Sequence, residues 1–287
     1  MRALRARAPA SSANLGPGFD TLALALALYV EVSCAPASSF SLETHGLGAD
    51  LPRDRSHLAA RVAAEVLGHD RVRLEVSSSV PVSRGLGSSA ALALAAAAAT
   101  GAPDPLAVAA RFDGHAENAA ASLFGGLVAA ALVGGQPVVR RLPLDRELRF
   151  VVVVPDRELA TSEARAVLPA VVPFEAAVSN LGRLALLIAG LSDRSSLVAA
   201  AGDDRLHQDA RTALFPEAPG LLAALREGGA TVACWSGAGP SLLGVCDGDL
   251  AADRAAEAAR QALEQLGVRG EVTALEADVE GLVVSPL

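Results

Sequence analysis

A glycine- and serine-rich loop is the segment of this sequence that points most directly to chemistry. Val80-Pro-Val-Ser-Arg-Gly-Leu-Gly-Ser-Ser-Ala-Ala-Leu-Ala-Leu94 places two glycines and two serines before an alanine-rich run. Glycine permits tight turns with positive φ, alanine is the strongest helix former, and Ser88 or Ser89 is a suitable N-cap. Backbone N–H groups at such a helix start bind anions, so we expect a phosphate site here. The alternative is a glycine turn before a capped core helix.

Composition narrows the ways in which this chain could bind phosphate or other partners. All 24 basic residues are arginine, which excludes a Walker-type lysine, a Schiff base and a lysine general base. A Rossmann G-x-G-x-x-G is not completed, because Ala90 stands three residues after Gly87. The net charge of −8 argues against nucleic acid as a partner. The uncharged stretches are rich in alanine or broken by glycine pairs, so we expect no membrane partner.

The sequence predicts a mixed helix and strand protein for a reducing, cytoplasmic setting. Three distant cysteines suggest neither a zinc cluster nor a disulfide framework. The predicted helices are Ser56–Leu67, Ser88–Ala99, Pro105–Ala120, Phe174–Ala189, Pro219–Arg226 and Ala251–Leu266. The predicted strands are Tyr29–Ser33, Val72–Val76, Leu123–Val133, Pro137–Arg140, Phe150–Val154, Thr231–Trp235, Ser241–Cys246, Glu271–Leu275 and Gly281–Val284. A change of pattern near residue 146 divides the chain into predicted domains 1–146 and 147–287.

Three glycine-containing segments of the chain can be compared with a known family. Pro81-x-x-x-Gly85-Leu-Gly-Ser-Ser-Ala-Ala91 resembles the phosphate loop of the GHMP small-molecule kinases, a family that binds ATP without a Walker lysine. Pro9-Ala-Ser-Ser-Ala-Asn-Leu-Gly-Pro-Gly-Phe-Asp20 resembles its N-terminal motif, and Ser236-Gly-Ala-Gly-Pro-Ser241 resembles its C-terminal glycine loop. Together the three segments are far more specific than any one of them.

Further segments resemble the branch of this family whose substrate is L-homoserine. They are Gly114–Gly126, Val154–Pro169 and Asp204–Arg211. The resemblance implies an α+β fold with a ribosomal-protein-like N-terminal domain and a ferredoxin-like C-terminal domain. It also implies Mg²⁺-dependent transfer of phosphoryl from ATP to the γ-hydroxyl of L-homoserine, giving O-phospho-L-homoserine for threonine biosynthesis.

The resemblance assigns residues to ATP and to the metal. The ATP-binding residues that it implies are Pro81, Arg84, Gly85, Leu86, Gly87, Ser88, Ser89 and Ala90. For Mg²⁺ it implies the Ser89 hydroxyl, and Asp113 stands where the family commonly has glutamate. Glu117 is expected to be structural, although it remains the alternative metal carboxylate.

A zwitterionic substrate requires a carboxylate clamp and an acceptor for its ammonium group. Arg165 and Arg211 match the clamp positions of the family, and arginine offers a planar fork for a carboxylate. Asn14 and Asp20 match the pair that binds the amine; Asp20 could instead cap a helix over Thr21–Tyr29. Gly237 belongs to the C-terminal glycine loop Ser236–Ser241, which we expect to cover the bound substrates.

The catalytic assignments by resemblance are Asn118, His115 and Thr161. Asparagine cannot accept a proton as a base, and a loose transition state requires little activation of the nucleophile. We therefore expect Asn118 to orient the γ-hydroxyl and His115 to shape the pocket, without a carboxylate base. Thr161 lies near the substrate in the family, but could equally be an N-cap. His57 stands where the family has an asparagine near the adenine.

Two alternative functions remain open on the sequence alone. One is a GHMP kinase acting on a mevalonate-type or sugar alcohol; a sugar would depend less on the arginine pair than an amino acid does. The other is a non-catalytic ATP-binding regulatory relative, favoured by the departures at Asp113 and Glu117. A homodimer is possible, through the apolar strand Gly126–Val133 or an open sheet edge. Arg205 is an expected neighbour of the clamp.

Overall fold

The computed structural model describes residues 2–114, 116–134 and 136–287, without the side chains of Leu132 and Pro137. The described elements are, in chain order, β1 (Leu4–Ala13), β2 (Leu22–Pro36), β3 (Ser41–Gly46), α1 (Leu58–Leu67), β4 (Val72–Ser78), α2 (Ser88–Ala99), α3 (Pro105–Asp113), α4 (Ala116–Phe124), β5 (Leu127–Val133), β6 (Gln136–Leu142), β7 (Leu148–Pro155), α5 (Thr161–Ala166), α6 (Phe174–Ser192), α7 (Gln208–Arg211), α8 (Ala218–Gly228), β8 (Ala230–Trp235), β9 (Leu242–Asp247), α9 (Asp249–Gln265), β10 (Gly270–Leu275) and β11 (Val283–Pro286). Short 3-10 turns lie at Arg194–Ser196 and Ala199–Gly202.

The first sheet is organised around the long strand β2. Its path runs β11-β1-β2-β4-β3, and β5 pairs with β2 and carries β6. The second half of β2 pairs with β4, whereas its first residues, from Leu22 to Leu24, pair with β5. The last strand, β11, pairs antiparallel with β1 and so covers the edge of this sheet. Residues 283–286, although beyond the predicted boundary at 146, thus pair in the first sheet; the boundary itself stays a prediction.

The second sheet is antiparallel, with order β10-β7-β9-β8. Helices α8 and α9 pack against it, and a core of valine, leucine and alanine side chains fills the interface. Trp235 is 1% exposed and belongs to this core. Two sheets with helices packed on them confirm the α+β class expected from the sequence.

Helix α2 lies in the middle of the first core. Its residues from Ala93 to Ala99 are all buried, and it contacts β1, β2, α1, α3 and α4. Alanine methyl groups let the helix lie close to the sheet, which fixes the position of the loop that precedes it. Among the described residues, α6 is the one helix that is long and apolar enough to span a membrane. Core helices of soluble proteins can have the same length and composition. Leu187 and Leu191 of α6 are buried in the core.

Several local predictions differ from the structure. The helix predicted over Pro105–Ala120 is two helices, because Gly114 ends α3 in a left-handed conformation with φ 77°. The helix considered over Thr21–Tyr29 is wrong: these residues enter β2, whose ladder with β1 and β5 outweighs local propensity. Strands β1 and β3 were not predicted, although Leu4–Ala8 of β1 alternates apolar and polar residues.

Candidate active site

A cavity of about 460 Å³ brings the sequence motifs together. Backbone and side chains of the glycine-serine loop line it, as do residues of the N-terminal motif and of the glycine loop 237–239. Helices α4 and α5 contribute Asn118, Thr161 and Arg165, and Arg211 comes from α7. A third group of mostly apolar residues follows β3 and precedes α1. The cavity therefore combines an anion-binding loop, a charged region and an apolar region.

Glycine is required at two positions of the loop. Gly85 and Gly87 have φ 74° and 65°, a left-handed conformation that other residues rarely adopt. A Cβ atom at Gly85 would overlap the Ser236 carbonyl oxygen, and one at Gly87 would overlap Ser11 Oγ. The close approach of three chain segments thus depends on these glycines.

The start of α2 differs from the prediction that Ser88 or Ser89 caps it. Gly87 occupies the N-cap position and makes no side-chain capping bond. The N–H of Ala91 donates to Gly87 O at 2.9 Å, so the N–H groups before it have no acceptor within the helix. Both serines line the cavity. Uncapped N–H groups, hydroxyls and a helix dipole at one cavity wall suit a phosphate group.

The loop is anchored on both sides by hydrogen bonds. Ser236 Oγ donates to Gly85 O at 2.8 Å, and Ser241 N donates to Arg84 O at 3.3 Å. The Arg84 guanidinium donates to Pro155 O at 3.1 Å and to Val82 O at 3.1 Å. Arg84 therefore ties the loop to the end of β7, and the C-terminal glycine loop packs directly on the phosphate loop.

The residues expected to bind ATP divide into two groups. Arg84, Gly85, Gly87, Ser88 and Ser89 line the cavity. Pro81, Leu86 and Ala90 are outside its lining, and the side chains of Leu86 and Ala90 are buried in the core.

Asp20 and Arg165, expected at opposite ends of an amino acid, form an ion pair with each other. Arg165 Nη2 and Nη1 donate to the two Asp20 carboxylate oxygens at 2.7 and 3.0 Å. This hydrogen bonding raises the pKa of Arg165. Asn14 positions Asp20: its Oδ1 accepts from Asp20 N at 3.0 Å, while its Nδ2 donates to Gly237 O at 2.8 Å. Strand β2 rather than a helix follows Asp20, so the cap interpretation is wrong.

Arg211 is a buried guanidinium with spare hydrogen-bonding capacity. It is 2% exposed, and its Nη1 donates to Gly237 O at 2.7 Å. Burial, reinforced by the charge of Arg165, lowers the pKa of Arg211 to about 10. Within the described part of the chain, its Nε has no hydrogen-bond partner. Buried charged donors are normally satisfied, and Arg211 lines the cavity, so its guanidinium can bind an acceptor from outside the protein.

His207 and Phe19 hold the arginine pair and were missed by the sequence reasoning. Arg211 Nη1 donates to His207 Nδ1 at 3.1 Å, so His207 Nε2 carries the proton and donates to Gly16 O at 2.9 Å. Burial lowers the pKa of His207, which favours this neutral form. The Phe19 ring stacks on His207 and lies 5.6 Å from the Cζ of both Arg165 and Arg211. The contact between His207 and Arg211 could have been predicted from their spacing of four residues, which makes two side chains neighbours on a helix.

Two of the three predicted catalytic residues line the cavity. Asn118 Oδ1 accepts a hydrogen bond from Ser11 Oγ at 2.9 Å. Thr161 opens α5 behind the N-cap residue Ala160, so the interpretation of Thr161 as the cap is wrong. His115 lies outside the described residues. The Arg205 side chain is outside the lining, and its backbone N–H donates to a buried asparagine of α6.

Oxygen donors suited to Mg²⁺ line the same cavity. They come from Ser89, from Asp113 at the end of α3 and from Glu117, which is 8% exposed. Within residues 2–114, 116–134 and 136–287, no group of three or more acidic, histidine or cysteine side chains could hold a metal. Mg²⁺ commonly binds through one or two carboxylates together with substrate phosphates. The donor set fits that mode of binding.

The apolar region of the cavity carries one directional polar group. Leu47, Leu51, Pro52 and Val82 line it. His57 caps α1 by accepting from Ala59 N at 3.2 Å through Nδ1, and burial lowers its pKa. The neutral ring therefore carries its proton on Nε2, as a donor for a heterocyclic base.

Comparison with known proteins assigns this chain to a class. The N-terminal domain model of the GHMP kinases matches residues 56–135, and the GHMP kinase C-terminal model matches residues 177–265. The Leishmania major mevalonate kinase structure has a TM-score of 0.73 at 14% identity, over 96% of this chain and 95% of that chain, which shows the common fold.

Two similar relatives and one solved structure define the branch. A homoserine kinase of Moorella thermoacetica is 39% identical, over 84% of this chain and 87% of its own. One of Clavibacter michiganensis is 41% identical over 84% and 82%, respectively. The structure of homoserine kinase from Cytophaga hutchinsonii has a TM-score of 0.87 at 25% identity, over 99% of this chain and 98% of that chain. The chain belongs to the GHMP kinases and, within them, to the homoserine kinase family, which makes it an ATP-dependent kinase.

Proposed function

We propose that this chain transfers the γ-phosphoryl group of ATP to the γ-hydroxyl of L-homoserine, giving O-phospho-L-homoserine. The observation that carries the proposal is the buried Arg211, whose Nε lacks a partner among the described residues, in the cavity that also contains the glycine-serine loop. A free carboxylate would satisfy this donor. A mevalonate-type substrate would also bring a carboxylate, but it would bring no ammonium group for Asp20.

The zwitterion is recognised by exchange of ion pairs. Asp20 and Arg165 neutralise each other in the free protein, and the substrate supplies an ammonium for the first and a carboxylate for the second. Arg211 adds a second guanidinium for the carboxylate, with His207 and the Gly237 carbonyl holding it in place. A ligand with only one of the two charges would break the ion pair and leave either Asp20 or Arg165 without a charged partner.

The triphosphate binds at the start of α2. Backbone N–H groups and the serine hydroxyls of the loop replace the lysine that other phosphate loops use. Ser89, with Asp113 or Glu117, would hold Mg²⁺, which supplies charge neutralisation for the phosphate oxygens. The apolar region with His57 would take the base.

The reaction needs no carboxylate base. The acceptor oxygen bonds to the γ-phosphorus, the bond from this phosphorus to the bridging oxygen breaks, and ADP leaves with the electron pair. The hydroxyl proton passes to an oxygen of the transferred phosphoryl group. Asn118 and Thr161 align the acceptor, with His115 expected to shape the pocket. Rate comes from alignment and from the loop N–H groups at the developing charge.

Three further properties belong to the proposal. We place the domain boundary at residues 146 and 147, the enzyme in the cytoplasm, and neither nucleic acid nor membrane among its partners. A homodimer through the strand Gly126–Val133 remains a prediction.

A panel of acceptor alcohols tests the proposed function. ADP release with Mg²⁺ and ATP is measured for L-homoserine, mevalonate and a sugar alcohol, and phosphorus NMR identifies the product. We expect turnover with L-homoserine to exceed the others by about 100-fold or more, the loss of a charged partner being roughly 3 kcal/mol. Equal turnover of mevalonate, or nucleotide binding without ADP release, would overturn the proposal.

A further inference from the structure

We propose that Ser11 is a positioning residue that determines which end of the Asn118 amide meets the acceptor hydroxyl. The inference rests on the proposed function, because it concerns the alignment of the hydroxyl that receives phosphoryl. Ser11 Oγ donates to Asn118 Oδ1 at 2.9 Å, across a separation of 107 residues. With Oδ1 engaged, Asn118 offers its Nδ2–H₂ group to the cavity that it lines.

Ser11 is itself held rigidly. It is 0% exposed, it pairs with Ala25 in the ladder between β1 and β2, and its N–H donates to Leu86 O at 3.1 Å. The fold also keeps space for the contact. A Cβ atom at position 87 would overlap Ser11 Oγ and lie 3.2 Å from Asn118 Oδ1, so Gly87 protects the hydrogen bond as well as the turn.

The orientation of the amide decides the route of the proton. When Nδ2 donates to one lone pair of the acceptor oxygen, the other lone pair is available for phosphorus and the O–H can point toward a γ-phosphate oxygen. In the reversed orientation, Oδ1 would accept a hydrogen bond from the hydroxyl group and hold its O–H away from the phosphate. The proton would then have no acceptor, because an amide oxygen does not act as a base. Ser11 stabilises the productive orientation.

The experiment compares Ser11→Ala in two backgrounds, with L-homoserine as acceptor. In the otherwise unchanged protein, one lost orienting hydrogen bond should lower kcat by about tenfold. The KM values for ATP and homoserine should change by less than about twofold, because substrate binding does not use Ser11. In an Asn118→Asp background the two carboxylate oxygens are equivalent, so Ser11→Ala should change kcat by less than about threefold.

Ser122→Ala is the matched control. Ser122 lies on the same helix as Asn118, is 0% exposed, and its Oγ has no hydrogen-bond partner in the described part of the chain. Its replacement should leave kcat unchanged. Circular dichroism melting curves of all variants separate rate effects from loss of fold.

The outcomes distinguish this inference from the function on which it rests. Absence of homoserine turnover in the unaltered protein refutes the proposed function. Turnover with an unchanged kcat in Ser11→Ala refutes the inference alone. An equal fall of kcat when Ser11→Ala is made in the unaltered protein and in the Asn118→Asp variant also refutes it, because Ser11 would then act without orienting an amide.

Discussion

The ion pair between Arg165 and Asp20 provides a test that separates recognition from stability. Their side chains are 39% and 42% exposed, so water screens the pair and its contribution to folding is about 0.5 kcal/mol. For a chain of this length, Arg165→Ala should therefore lower the melting temperature by no more than about 2 °C. The guanidinium is thus available for recognition at little structural cost.

The effect of the same substitution on catalysis should be much larger. A substrate carboxylate would lose a charged hydrogen-bonding partner, about 1.5 to 3 kcal/mol for each such bond. Because Arg211 remains, we expect kcat/KM for L-homoserine to fall by roughly 100-fold, which corresponds to about 3 kcal/mol. The KM for ATP should stay within about twofold. Steady-state rates of ADP release over a range of both substrates measure the two quantities.

Arg205→Ala is the matched control for this prediction. Arg205 is exposed, and its side chain lies outside the cavity lining. Its replacement removes the same charge from the chain and should change kcat/KM by less than about twofold. If Arg165→Ala lowers the melting temperature by more than about 6 °C while kcat/KM falls less than tenfold, the guanidinium is structural and the reasoning fails.

Three further predictions concern the buried histidines, the loop and the metal. Burial lowers the pKa values of His57 and His207, so below pH 6.5 the unfolded chain binds protons that the folded chain does not. The free energy of unfolding, measured with urea, should therefore decrease as the pH is lowered from 6.5, by at most about 1.4 kcal/mol per pH unit for each histidine, and it should decrease less steeply in His57→Asn, which keeps a cap. Gly87→Ala should raise the KM for ATP at least about tenfold, whereas Gly101→Ala, with φ 81° but no atom within 4 Å of the new Cβ, should leave it unchanged; similar KM values would contradict the close-approach argument. Asp113→Asn should raise the Mg²⁺ concentration for half-maximal rate by about tenfold, and an unchanged requirement would favour another carboxylate.

Features encoded by neighbouring residues could be predicted from the sequence. The glycine-serine loop and α2 follow from local backbone chemistry, and the structure has the helix at the predicted residues Ser88–Ala99. The segment that begins β2 was harder: from Leu22 to Leu28 it alternates leucine and alanine, both apolar, so neither the helical nor the strand period stands out. Pairing with two distant strands decides the outcome, and no local signal carries that information.

The candidate site shows the same division. Resemblance supplied Asp20, Arg165 and Asn118 as residues, but not the contacts that they make. Asp20 meets Arg165 across 145 residues and Ser11 meets Asn118 across 107. Such pairs depend on how strands and helices pack, and a single sequence does not specify them.

The buried alanines of α2 have a further consequence for the precision of the enzyme. A methyl group has no rotamers, so burying it costs no side-chain entropy, and no rearrangement of side chains can absorb a displacement of the helix. Any enlargement on its buried face, for example at Ala95, must move the helix as a rigid rod, and the amides at its first turn would move with it. The orientation of the bound triphosphate therefore depends on residues that do not contact it.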